Sequence, residues 1–356
     1  MSRQVRSAHP RPFVVVAIVA LALVGFMVAR AVVFASPAQF TVDSTADARD
    51  ASVGDGTCRT VAGACTLRAA IQEANARPGA DEIQLQGGTY TLGIAPQNQN
   101  DITSGDLDIT DSLTVTGSGA GSTIVRGNAL DRVFEVAVAG GTVAMSGLTI
   151  SDGDADEYGG AILNSSTATV TLDSATLTRN VAGKTGGAID NHFAGTVEVE
   201  GSTLSDNYAA EAGSALNNNR GGAMTVADST VAGNSAADAG FDDSLVGAGA
   251  IANNAELDAV GTLTVTGSRV TDNRAGGGRN GAGISNDGAG ALVVTDTVFA
   301  NNRAVADGGA IFNLDGPATV TDSSFTENIG NNGGAISSSG QGSLSIDETA
   351  FTKNVA

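Results

Sequence analysis

Tryptophan is absent, tyrosine occurs three times, and aromatic residues make up only 4% of the 356 positions. A globular core built around aromatic rings is therefore excluded, and the usual stacking platforms for sugars are scarce. Lysine occurs only at Lys184 and Lys353, and after residue 38 the sole histidine is His192. Lyases of acidic polysaccharide need a basic residue beside acidic calcium ligands, and hydrolases need clustered carboxylates with basic groups to hold the uronate. His192 stands in DNHFAG, which carries no such pattern. Positive charge is scarce throughout: 18 Lys and Arg face 38 Asp and Glu, for a net charge of -20. Such a surface repels phosphate backbones and anionic lipid, so no nucleic-acid partner is expected and no membrane contact beyond an N-terminal anchor. With 16% charged and 42% hydrophobic residues the chain is not disordered either. Its core must be assembled from many small aliphatic side chains.

Residues 1–38 read as a signal peptide or signal anchor. Arg3, Arg6 and Arg11 precede a seventeen-residue apolar run from Phe13 to Ala29, which Arg30 closes, and small residues follow to Ser36, Pro37 and Ala38. Either way the remainder is exported, and without the four arginines of this segment it carries -24. Cys58 and Cys65 are the only cysteines, seven positions apart. In an exported chain they fit a local disulfide, since zinc would need more than two thiols.

Glycine is abundant, at 48 residues, and it punctuates a repeat. Short apolar segments end in Asn180, Asn207, Asn234, Asn273, Asn302, Asn328 and Asn354, at spacings of 27, 27, 39, 29, 26 and 26. Ahead of them lie alternating aliphatics such as Val170 with Leu172 and Val197 with Val199, a strand with one buried face. After each asparagine comes a glycine-rich corner, for example Gly159 to Ile162, Gly186 to Ile189 and Gly308 to Ile311. A unit of two or three short strands cannot bury its apolar side alone, so copies must stack with like residues in columns. The expected fold is an all-β, right-handed parallel β-helix over 83–356, with the asparagines as an internal amide ladder. Gly153 occupies the ladder position one coil before Asn180, and the stretch from Ser235 to Gly249 is an insertion.

Within 39–82, Thr66 to Ala76 spells a helix with Leu67, Ala70, Ile71 and Ala74 on one face, Thr66 as N-cap and Pro78-Gly79 as stop. It reads as a cap over the open solenoid end. The stretch DGTCRTVAGACTLRAAIQEANA, Asp55 to Ala76, resembles the CSLREA domain of exported bacterial β-helix proteins, keeping Cys65, Leu67 and Arg68 but carrying Thr66 and Ala69 in place of Ser and Glu. GDLDIT (Gly105 to Thr110) and LDRVFEV (Leu130 to Val136) resemble the region that follows in such proteins, and the GGAI and FxxN elements are similar to repeats of chlamydial polymorphic outer membrane proteins. The resemblance implies a pectate-lyase-like β-helix at the cell envelope, outer membrane or outside the cell, and little about chemistry.

The expected function is a non-enzymatic surface scaffold or adhesin whose loops meet a polysaccharide or cell-surface ligand. The rival is a lyase or hydrolase of acidic polysaccharide, with Asp242 and Asp243 as the acid pair and Arg269, Arg274 and Arg279 as candidate holders of an anionic sugar. No catalytic residue is assigned and no cofactor is expected, save calcium at Asp152, Asp154 and Asp156, whose alternate spacing also suits a plain acidic turn. The sequence stops two residues past Asn354, which reads as a truncated protein or an end covered by self-association.

Overall fold

A computed structural model describes residues 36–97, 103–236, 249–254, 260–278 and 280–356. The proposed signal segment, Asp242, Asp243 and Arg279 lie outside the described residues. From Ala35 onward the chain forms a single compact unit. It is a right-handed parallel β-helix whose successive coils add strands to parallel sheets of eleven, ten, six and nine described strands. The coil from 169 to 195 is representative. Thr169–Asp173 lies in the eleven-stranded sheet, Thr176–Thr178 in the ten-stranded, Val181–Ala182 in the six-stranded and Ile189–Asn191 in the nine-stranded. Each pairs in parallel with its equivalent 27 residues later, Val170 with Val197 and Leu177 with Leu204.

Register turns the sequence repeat into columns. Val143, Val170, Val197, Met224, Leu263 and Leu292 form one inward column, and Ile162, Ile189, Leu216, Ile251, Ile284 and Ile311 face it from the nine-stranded sheet. All are essentially inaccessible to solvent, and each contributes roughly 1.5–3 kcal/mol on burial. A third column, in the ten-stranded sheet, runs Val231, Val270, Phe299, Phe325 and Phe351, and its rings stack, with centroids 4.7 Å apart for Phe299 and Phe325 and 5.0 Å for Phe325 and Phe351. The six-stranded sheet has two-residue strands and can turn in only alanine: Ala182, Ala209, Ala236, Ala275 and Ala304.

The two kinds of bend are built differently. At the GGAI corner Gly186 has φ +69°, and a Cβ there would stand 2.6 Å from both the Ile189 oxygen and the Asp190 Cβ. Gly186→Ala is therefore expected to cost at least about 1–2 kcal/mol for the left-handed backbone alone, with the clash added, read as a lower urea midpoint. The bend before the ladder asparagines, except at Gly233 ahead of Asn234, instead uses ordinary residues in the left-handed region, among them Arg179 (φ 55°), Asp206 (56°), Asp272 (58°) and Glu327 (56°). Nothing in the glycine pattern announces these.

One strand lies ahead of the helix: Gln39–Val42 pairs with Asp81–Leu85 and forms the edge of the eleven-stranded sheet. The helix, Leu67–Asn75, is buried on its polar side as well as its apolar one. The stretch just ahead of the Cys58–Cys65 disulfide explains this, because its backbone amides meet the polar face. Gln72 accepts from the Asp50 amide at 2.8 Å, and Glu73 accepts from the Gly54 and Gly56 amides at 2.7 and 2.9 Å. Arg68 donates to the carbonyls of Gly105 and Asp106, and Asn75 to that of Asp108. Those three carbonyls belong to or adjoin Leu107–Ile109, the edge strand of the nine-stranded sheet. Side-chain donors thus take the place of a neighbouring strand.

Candidate functional site

The predicted ladder asparagines converge on one file. Asn180, Asn207, Asn234, Asn273, Asn302 and Asn328 are at most 1% exposed. Each Nδ2 donates to the Oδ1 of the next asparagine at 2.9–3.0 Å, ending on Asn354. Each backbone amide donates to that same oxygen, and each Nδ2 also reaches a carbonyl of the coil below, as Asn207 does to Leu177. A second file went unread in the sequence. Asn164, Asn191, Asn218, Asn253, Asn286 and Asn313 hydrogen-bond in series at 2.7–2.9 Å along the end of the nine-stranded sheet. Most also donate to a carbonyl just ahead, such as that of Gly195 or Gly222. The signal was present: the corners from Gly159 to Ile311 each continue as Ile or Leu, any residue, Asn, and only the corner at Gly333 to Ile336 puts a serine, Ser338, in that place.

The other predicted residues stand apart. Asp152 is clamped between Arg126 and Arg179, both at 2.9 Å. Burial works against its charge, but the hydrogen bond and charge of Arg179 outweigh it and hold the carboxyl below its usual range. Asp154 and Asp156 are exposed on the following turn. Among the described residues the expected calcium triplet is not a group whose carboxylate oxygens converge, and its first member is held by the two arginines. Arg269 and Arg274 are exposed on separate strands.

Among the described residues, the carboxylates that do converge are Asp106, Asp108 and Glu135, with an oxygen of each within 4.8 Å of the others. The register explains the meeting. Asp108 lies on the outer side of the edge strand between inward Leu107 and Ile109, and its partner one coil on is Glu135. Arg132 joins the group, 3.4 Å from Asp106 and 2.9 Å from Glu135, and the Ser165 hydroxyl donates to Glu135 at 2.7 Å. Burial, with the charge of Asp108 added, pushes the Asp106 carboxyl up to about 8. Burial and the charge of Glu135 push Asp108 up to about 6.

No protein-family model matches the chain, and no curated protein shows significant similarity to it.

Two coils further along the same outer column, past Leu163, sits a second polar station. Asp190 is fully buried and accepts from Thr185, from Asn217 at 3.0 Å and from the His192 ring at 3.3 Å. Around it the few aromatics gather. The Tyr158 and His192 rings are 4.3 Å apart, and His192 meets Phe193 edge-on at 4.8 Å. Lys184 lies 5.1 Å from the Tyr158 ring centre and Arg220 4.9 Å from that of Phe193. The row runs cation, ring, ring, ring, cation, and Phe193 is 41% exposed. A cleft of about 750 Å³ lies elsewhere, between residues 47–51, 60–62 and Ile94. Its charged groups are committed internally, Asp47 to Arg68 and Arg49 to the Thr103 carbonyl.

The raised carboxyls have a pH signature. The folded state keeps protons on Asp106 and Asp108 that the unfolded chain releases near pH 4, so stability falls as pH rises from there towards about 8. In chelator, the melting temperature of the wild type is expected to drop by several degrees across this window. Asp106→Asn should flatten the curve; an unchanged slope would contradict the assignment.

Proposed function

We propose that the chain is an exported surface scaffold or adhesin, a β-helix that contacts glycan or the cell surface through its outer face and corners. The row of Lys184, Tyr158, His192, Phe193 and Arg220 carries this reading. Sugar rings stack on exposed aromatic faces, and the Arg220 guanidinium beside Phe193 suits an anionic sugar, while Lys184 is paired with Glu157. The repeated columns support it as well, since they leave the solenoid interior to packing and the outside to contact. In the same reading the segment Asp55 to Ala76 is a CSLREA-like cap, residues 1–38 direct export, and the location is the cell envelope or beyond.

The test is binding of the purified chain to a panel of neutral and uronate-containing polysaccharides and to bacterial cells. Binding that falls about tenfold in Phe193→Ala and Arg220→Ala, with the melting temperature unchanged, supports the proposal. No binding to any of these surfaces sinks it.

A second reading, cleavage of acidic polysaccharide, is favoured by the convergence of the two carboxyls of Asp106 and Asp108 beside Glu135, the residue types that glycosidic cleavage uses. Against it stands their burial, at 4% and 8% exposure. Product release from uronate polysaccharide that disappears in Asp108→Asn would establish it in place of the first.

A further inference from the structure

We propose that Asp106, Asp108 and Glu135 form a binding site for a divalent cation of the calcium class, tying the edge strand of the nine-stranded sheet to the next coil. Geometry is the first ground. Calcium holds oxygen ligands at roughly 2.3–2.6 Å, so any two of them lie no more than about 5.2 Å apart. The three carboxylates meet that limit, with their oxygens within 4.8 Å of one another.

The second ground is an oxygen left without a partner. Asp108 is 8% exposed, and its Oδ2 accepts no hydrogen bond. Leaving a buried carboxylate oxygen unpaired is costly, and most such groups in folded proteins are satisfied. A cation among the three carboxylates supplies what the protein does not.

Charge agrees. Asp131 also borders the group, since a Cβ on Gly105 would stand 2.8 Å from its Oδ2. Four carboxylates therefore face Arg132, while the nearby Arg68 is already spent on Asp47 at 2.6 Å. A divalent ion removes most of that excess, whereas a second guanidinium is not at hand.

The donors select the metal. All are oxygen, the cysteines are bridged to each other, and no imidazole takes part. Hard cations suit such a set, and calcium accepts irregular geometry where magnesium demands a near-ideal octahedron and keeps its waters.

The experiment uses the purified chain stripped with chelator, then titrated with calcium chloride or magnesium chloride, followed by calorimetry and thermal melting. Saturable calcium binding with one site, a melting temperature raised by several degrees at a hundredfold excess over Kd, and weaker magnesium binding are expected. Asp108→Asn and, independently, Glu135→Gln should each weaken calcium binding by about tenfold or more. If Asp108→Asn fails to fold, Glu135→Gln decides. The double variant Asp154→Asn with Asp156→Asn should bind as the wild type does. Absence of saturable calcium binding at millimolar concentration overturns the proposal. So does binding that survives both carboxylate variants or is lost in the double variant.

Discussion

Asn207→Ala is expected to lower stability by roughly 3–6 kcal/mol, more than a surface substitution by an order of magnitude. The side chain makes four bonds in a dry interior. Its Oδ1 accepts from the Asn180 amide and from Asn180 Nδ2, both at 3.0 Å, and its Nδ2 donates to the Leu177 carbonyl and to Asn234 Oδ1, also at 3.0 Å. Alanine leaves the Asn180 amide without an acceptor and strips one bond each from Asn180 Nδ2, Asn234 Oδ1 and the Leu177 carbonyl, and a buried group left unpaired costs about 1–3 kcal/mol. Because each coil touches chiefly its neighbours, the damage should stay local. Hydrogen exchange is expected to show lost protection around residues 177–210 while the first coils keep theirs. A change under about 1 kcal/mol by urea denaturation would mean the file contributes shape and not stability.

Arg68→Met should cost about 3–5 kcal/mol, the range found on removing one partner of a buried ion pair. Arg68 is 1% exposed and holds Asp47 at 2.6 and 3.1 Å while feeding the Gly105 and Asp106 carbonyls at 2.8 and 2.9 Å. Methionine fills the volume, but Asp47 remains buried with its charge unopposed. Burial alone would raise the Asp47 carboxyl; the Arg68 hydrogen bond and charge reverse this and hold it below its ordinary value. The wild-type pair therefore stabilises at neutral pH and loses its contribution in acid, as pH falls through the lowered folded value. In Arg68→Met the sign inverts, and mild acid should stabilise. Adding Asp47→Asn is expected to recover part of the loss, and additivity of the two substitutions would show that they do not act as a pair.

Much of this fold was legible because the repeat is nearly periodic. Seven asparagines at spacings near 27 forced the stacked reading, and the inward aliphatics followed from alternation. The second amide file was equally periodic, but it hid behind the glycines of the corners, which drew attention to backbone freedom and away from Asn164 and its successors. The acidic group could not be read at all. Asp108 and Glu135 are one coil apart, yet they lie ahead of the clear repeats, where no ladder residue marks the register. Likewise, nothing local in the sequence pairs Arg68 with Asp47 or says that the helix is buried on both faces. The aromatic row was missed for a related reason: scarcity in composition says nothing about clustering, and Tyr158 comes from the coil before His192 and Phe193 and meets them only through the register.

The amide files also have a sense. Every Nδ2 points towards the later coil and every Oδ1 towards the earlier one, and backbone amides and carbonyls lock that orientation from both sides. Turning a single amide over would set proton against proton at one junction and lone pair against lone pair at the next. No member can flip alone, so each file behaves as a polarised string whose small dipoles add along the axis. The two termini of the stack are thus electrically unlike, however similar their strands.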